Sequence, residues 1–433
     1  MGNIRLTLSK LAGHEYTPLC LLVLISLILQ FSTIMFPDTT LFDEYYYVPS
    51  AQSILEGSGT NIIEHPPLGQ LFIVSGISLF GDGPLGWRFF SVIFGAIAIA
   101  LLYLVCRQLK ISRNISFLAA FLFSIENMCF ILGGIAMLDV YCLTFMLASF
   151  WAYLKGWHIR AGLFIGLAAL AKLIGVLALL VILLHWLLAN RDNKRQIFTI
   201  VSVSAASFLL LMPLLDIATW HKLMNPFERI GLMFERTSHY TFALHTQSPI
   251  GAMPSRPWEW LIRLDSIEHI SFDNIKREWY VMYYLMISPS IWALIIPSML
   301  FMLYKAIKRS SAAIFVICWF ACTYLIWIPA SLITDRISYI FYFYPTIGAI
   351  CIGISLGIAR LAAIEPKTSI LKTGVRLITP IYIMTSLIVF IALFPGNIWL
   401  VVACSVVLYF VARYYTKTDD FTLAENNSLI RPS

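Results

Sequence analysis

The chain has 433 residues, of which 59% are hydrophobic and 12% charged, with a formal net charge of +7 and a mean hydropathy of +0.81. A soluble domain carries about a quarter charged residues, so this composition excludes a water-soluble enzyme, a disordered chain and a nucleic-acid-binding module. The lysines and arginines fall between apolar runs, so residues 1–415 read as one all-α polytopic membrane unit and residues 416–433 as a polar tail. All eight cysteines lie inside apolar runs, which argues against a disulfide framework or a zinc site.

Residues 16–37 form the first charge-free run and read as a retained helix, because no small-residue cleavage site follows them. A polar segment, 38–87, comes next. It opens on Phe42-Asp43-Glu44-Tyr45-Tyr46 and continues through His65-Pro66-Pro67-Leu68-Gly69 to Gly86-Trp87-Arg88. Further spans are expected at 89–106, at 114–138 (interrupted by Glu126) and at 140–154 after Asp139. Residues 161–190 would measure about 45 Å as one helix, against a bilayer core of about 30 Å. A hairpin with Lys172 near its tip is expected instead. That choice places Lys155, Arg160, Lys194, Arg195, Lys305 and Lys308 on one side, cytoplasmic by the positive-inside rule. Later spans are expected at 196–215, 279–304, 310–334 and 337–359, with 377–412 divided at Phe394-Pro395-Gly396-Asn397. The total is about 11–12 transmembrane helices, with two large extracytoplasmic loops at 38–87 and 216–278.

The residues able to carry chemistry gather at the outer ends of spans. Asp43 and Glu44 cannot face the same way on a regular element. Either they are a solvated helix start, or one carboxylate faces a reacting hydroxyl while the other pairs with a cation. His65 sits before paired prolines, as a turn residue or as a rigidly held polar group. Arg88 either snorkels or grips a phosphate. Asp139, a charge at a span start, needs a partner or a task, and Lys172 is the candidate partner. Glu126 lies deeper, with no partner legible. Tyr45, Tyr46, Trp258, Trp260 and Tyr344 offer rings for a sugar or for packing, and Arg336 precedes the aromatic run Phe341 to Tyr344. No P-loop, GxGxxG or metal-ligand helix is present.

In their order, these motifs resemble the dolichyl-phosphate-mannose–protein mannosyltransferase family, a GT39-like branch of the GT-C membrane glycosyltransferases. The resemblance runs from about residue 38 to 357 and includes Arg256-Pro257-Trp258-Glu259-Trp260 and Ser288-Pro289-Ser290-Ile291-Trp292. No MIR-type domain interrupts the second loop, as in the prokaryotic branch. Gln247 and Ser248 stand where the family usually offers a histidine, with His245 slightly earlier. The resemblance implies a GT-C fold in a prokaryotic plasma membrane, a polyprenyl- or dolichyl-phosphate-sugar donor, and inverting transfer of mannose or a similar hexose to protein Ser/Thr on the extracytoplasmic face. It further implies Asp43 as base, Glu44 beside it, and no obligatory metal or other cofactor; it fixes no oligomeric state. Arg88, Lys172, Arg336 and His65 are then expected at the donor phosphate. Two alternatives stand beside it. One is a sister enzyme moving a lipid-linked sugar to lipid or lipopolysaccharide, as the aminoarabinose transferases do. The other is a secondary transporter, which would show inverted repeats.

Overall fold

A computed structural model describes residues 15–189, 193–243, 255–264, 266–273, 278–335, 338–364 and 368–416. Nearly all of this is helix, joined by one two-stranded antiparallel sheet. Among the described residues, six helices are long and apolar enough to cross a bilayer: Pro84–Gln108, Lys194–Trp220, Ser311–Thr334, Ile340–Ala362, Ser369–Leu393 and Ile398–Tyr415. Shorter apolar helices include Thr17–Thr33, Leu138–Leu154, His158–Ala171, Leu173–Ala189 and Ile295–Ile307.

The expected hairpin over 161–190 is present. His158–Ala171 ends at Lys172, whose extended backbone (φ −158°, ψ 133°) breaks the helix before a 3₁₀ turn, Leu173–Val176, and the returning helix Leu177–Ala189. Two contacts with the neighbouring helix Leu138–Leu154 fix the direction. Cys142 Sγ lies 3.7 Å from the Lys172 carbonyl near one end, and Tyr153 Oη lies 2.9 Å from His185 Nδ1 near the other. Close packing of His158–Ala171 on Lys194–Trp220 depends on a Gly-x-x-x-Gly pair, as between membrane helices generally. A Cβ at Gly162 would fall 2.8 Å from the Ile200 carbonyl, and one at Gly166 would collide with Ser207 Oγ.

One expectation is corrected. Residues 279–304 are not one span: strand Glu278–Met286 pairs with Ser266–Asp273, and only then do a short turn of helix, Pro289–Trp292, and the helix Ile295–Ile307 follow. Tyrosines and a tryptophan in this run read equally as strand or as interfacial helix, so apolar length alone misassigned it. Residues 114–138 are interrupted at Glu126, as the sequence suggested. Arg113–Ile125 and Asn127–Gly134 meet at a 63° bend. Glu126 makes the bend and finds the partners the sequence did not reveal. Its carboxylate accepts Cys129 N–H at 2.7 Å, capping the second helix, and Ser288 N–H at 2.9 Å. The break therefore anchors the segment that follows the sheet.

Candidate active site

The first polar loop folds back on the helix ends. Helix Glu44–Leu55 begins directly after Asp43, and Leu68–Phe80 follows the paired prolines. Between them, Ser50, Thr60 and Gln70 share buried hydrogen bonds of 2.6–3.0 Å. Gly69 allows Leu68–Phe80 to rest against the end of the Lys172 hairpin, since a Cβ there would sit 2.8 Å from the Ala171 carbonyl. The second loop adds helix Pro226–Ala243. Its Arg229, 1% exposed, donates to the Ile63 carbonyl at 2.6 Å and the His65 carbonyl at 3.0 Å. It also pairs with buried Asp216 at 3.5 Å. Sequence reading missed this anchor, although Asp216 at a helix end was a visible signal for a partner.

Glu44 and Arg88 do meet, but their geometry corrects the role expected of Arg88. They are 0% and 1% exposed and joined at 2.8 and 2.9 Å. Arg88 also donates to the carbonyls of Ile34 at 3.1 Å, Pro37 at 2.8 Å and Thr39 at 2.9 Å. A guanidinium has five N–H donors, so none remains for a phosphate. Glu44 further accepts Leu41 N–H at 2.8 Å and Ala136 N–H at 2.6 Å. The pair clamps the chain before Asp43 to the bundle.

With Glu44 so occupied, Asp43 is the carboxylate of the pair not engaged by Arg88. Its side chain makes no capping bond to its own helix. Burial raises its pKa to about 6, against the opposing pull of Lys172, while Asp139 adds to the rise. Lys172 Nζ is held by both Asp139 oxygens, at 2.9 and 2.7 Å, and lies 5.5 Å from the Phe341 ring centre. An ammonium has three donors, so one remains after Asp139. Arg336 lies outside the described residues.

The aromatic assignments divide. Tyr45 and Tyr46 are 62% and 41% exposed and pack edge-on to each other. Tyr47, four residues from Asp43 and thus on its helix face, is the buried one. Its ring lies 6.1 Å from that of His65, and the nearby charges of Asp43 and Asp139, after burial itself, push its phenol well up. The i, i+4 spacing could have found it. Trp260 is fully buried, donating to Ser255 Oγ at 2.8 Å and accepting from Trp292 Nε1 at 2.9 Å, so it is a packing anchor. Trp258 is partly exposed beside it, and Tyr344 is buried inside the bundle.

A family described as dolichyl-phosphate-mannose-protein mannosyltransferase matches residues 64–218, a stretch that holds His65, Asp139 and Lys172 but begins after Asp43. A polyprenol-phosphate-mannose–protein mannosyltransferase of Corynebacterium glutamicum is 24% identical over 77% of this chain and 80% of its own length. The chain is similar to protein mannosyltransferases over these stretches. Among solved structures, the Saccharomyces cerevisiae protein O-mannosyltransferase Pmt1-Pmt2 complex bound to the sugar donor aligns with a TM-score of 0.66 at 11% identity, over 98% of this chain and 94% of that one. ArnT from Cupriavidus metallidurans in the apo state aligns with a TM-score of 0.52 at 17% identity, over 95% of this chain and 77% of that one. These structural likenesses show the GT-C fold, and with the sequence matches they mark a multi-pass membrane glycosyltransferase.

Proposed function

We propose that the protein transfers mannose from a polyprenyl-phosphate donor to Ser or Thr hydroxyls of proteins at the extracytoplasmic membrane face. The observation that carries this reading is the placement of a weakly basic carboxylate, Asp43, beside a fixed cation, Lys172, at one end of the helix bundle. The names of the related proteins support the donor and the acceptor class.

In the step, Asp43 takes the acceptor hydroxyl proton as the oxygen attacks the sugar carbon from the face opposite the phosphate. The bond from that carbon to the phosphate oxygen breaks, and the lipid phosphate leaves with the electron pair. Attack opposite the leaving group inverts the sugar carbon. The negative charge developing on the phosphate meets the remaining N–H of Lys172, so no acid is needed. Asp139 holds Lys172 in place, while Tyr47 and His65 form the wall beside Asp43. Because Lys172 supplies the positive charge at the leaving group, an obligatory metal is not part of this reading.

The test is transfer in reconstituted vesicles from polyprenyl-phosphate-mannose to a Ser/Thr-rich peptide, read as a hexose mass gain on a hydroxyl side chain. Transfer to co-reconstituted lipid alone, with the peptide unmodified, would assign the protein to the lipid-acceptor branch instead.

A further inference from the structure

We propose that the opposite end of the bundle carries a pocket for the phosphodiester head group of an anionic phospholipid. Helices Leu138–Leu154 and His158–Ala171 have Asp139 and Lys172 at one end and the Gly156-Trp157 turn at the other. At 1.5 Å per residue the two ends lie about 20 Å apart. Helix Lys194–Trp220 runs parallel to His158–Ala171, as the contacts of Gly162 with Ile200 and of Gly166 with Ser207 require. The starts of the two helices therefore lie side by side.

Between these starts is a concave site of about 510 Å³, open to solvent, with Trp157, His158, Arg160, Asn193, Arg195 and Gln196 in its wall. The Trp157 ring lies 4.0 Å from Lys155 Nζ and 4.2 Å from the Arg160 guanidinium carbon, which holds both cations at the rim. No ion pair among the described residues includes Lys155, Arg160, Lys194 or Arg195. Helix His158–Ala171 also starts without a side-chain cap, leaving first-turn N–H donors and the positive dipole end at the pocket.

Two features favour a lipid phosphate over a free one. Ile159, in the pocket wall, and Phe198, one turn into the adjacent helix, are 65% and 72% exposed, an apolar surface for acyl chains beside the cations. The site also lies at the basic end of the bundle, and basic pockets between helices at the cytoplasmic face hold anionic head groups. Occupancy ties down the start of the helix whose far end carries Lys172.

Native mass spectrometry of the full chain in detergent, with equal phosphatidylglycerol and phosphatidylcholine, tests this. Wild type retains one phosphatidylglycerol in preference, and R160Q/R195Q lowers that retention roughly tenfold or more. K305Q/K308Q, which removes charge elsewhere on the same face, leaves it unchanged. Equal retention of both lipids by wild type, an unaffected double variant, or an equal loss in the control overturns the site. Displacement of phosphatidylglycerol by inorganic phosphate at about 10 mM would assign the pocket to a soluble anion and overturn the lipid. Should R160Q/R195Q not fold, R195Q alone, at an exposed helix start, is expected to lower retention about fivefold.

Discussion

Arg88 and Lys172 are both cations at the ends of helices, yet the structure surrounds them differently. Arg88 has spent every donor on Glu44 and three carbonyls, so Arg88→Ala leaves Glu44 buried without its counter-charge. Removing one partner of a buried pair costs about 3–5 kcal/mol. The expected outcome is a lower Tm and less folded protein, with donor KM little changed in what folds. A raised KM at unchanged Tm would return Arg88 to the phosphate. In the proposed mechanism Lys172 acts through charge on Asp43 as well as on the donor. With Asp43 at about 6, turnover should fall about tenfold per pH unit below that value and level off above it. Since Lys172 pulls this pKa down, Lys172→Met should move the acid limb upward as well as slow the reaction; an unmoved limb would place Asp43 outside the reach of Lys172. The sign for stability follows from the same shift. A carboxylate raised from an unfolded value of about 3.9 binds more protons in the native state, so its contribution is best below that pH and declines up to about 6.

At the scale of elements, the first loop is a lever that sets His65 and Asp43 against the hairpin. Gly69 is its fulcrum, because a Cβ there meets the Ala171 backbone and cannot be relieved by turning a side chain. Gly69→Ala should displace the loop and lower turnover by about 10²-fold, the usual cost of a misplacement near 1 Å. Gly231→Ala, with nothing within 4 Å of the added carbon, should be silent. Full activity in Gly69→Ala would show that the loop position does not matter. Much of this arrangement was legible in the sequence. Lys172 at the tip of a hairpin followed from the length of 161–190 and the sidedness of the basic loops, and the Asp139–Lys172 pair followed from two charges sharing one face of the membrane. What stayed hidden was specificity of contact. That Arg88 spends its other donors on the carbonyls of Ile34, Pro37 and Thr39 depends on how the chain turns before Asp43, and the role of Glu126 depends on Ser288, distant in the chain. The strand Glu278–Met286 was missed because its composition satisfies an interfacial helix equally well.

For the whole molecule, the loops at 38–87 and 216–278 share one side in this account, as the contacts of Arg229 with Ile63 and His65 require. A cysteine at Phe227, 70% exposed, should react with an impermeant maleimide in intact cells; reaction only after permeabilisation would invert the topology. Transfer should also survive EDTA, with added magnesium or manganese changing it by less than about threefold. Complete loss in EDTA, restored by one divalent metal, would remove Lys172 from its assigned task. The central claim is that Asp43 is the base, and turnover of Asp43→Asn in the vesicle transfer assay tests it most directly. The substitution keeps the size of the side chain and removes its basicity. The account predicts a loss of at least about 10²-fold in mannosyl transfer, with donor binding retained and Tm equal to or above that of wild type; near-normal turnover in a folded Asp43→Asn protein would contradict it.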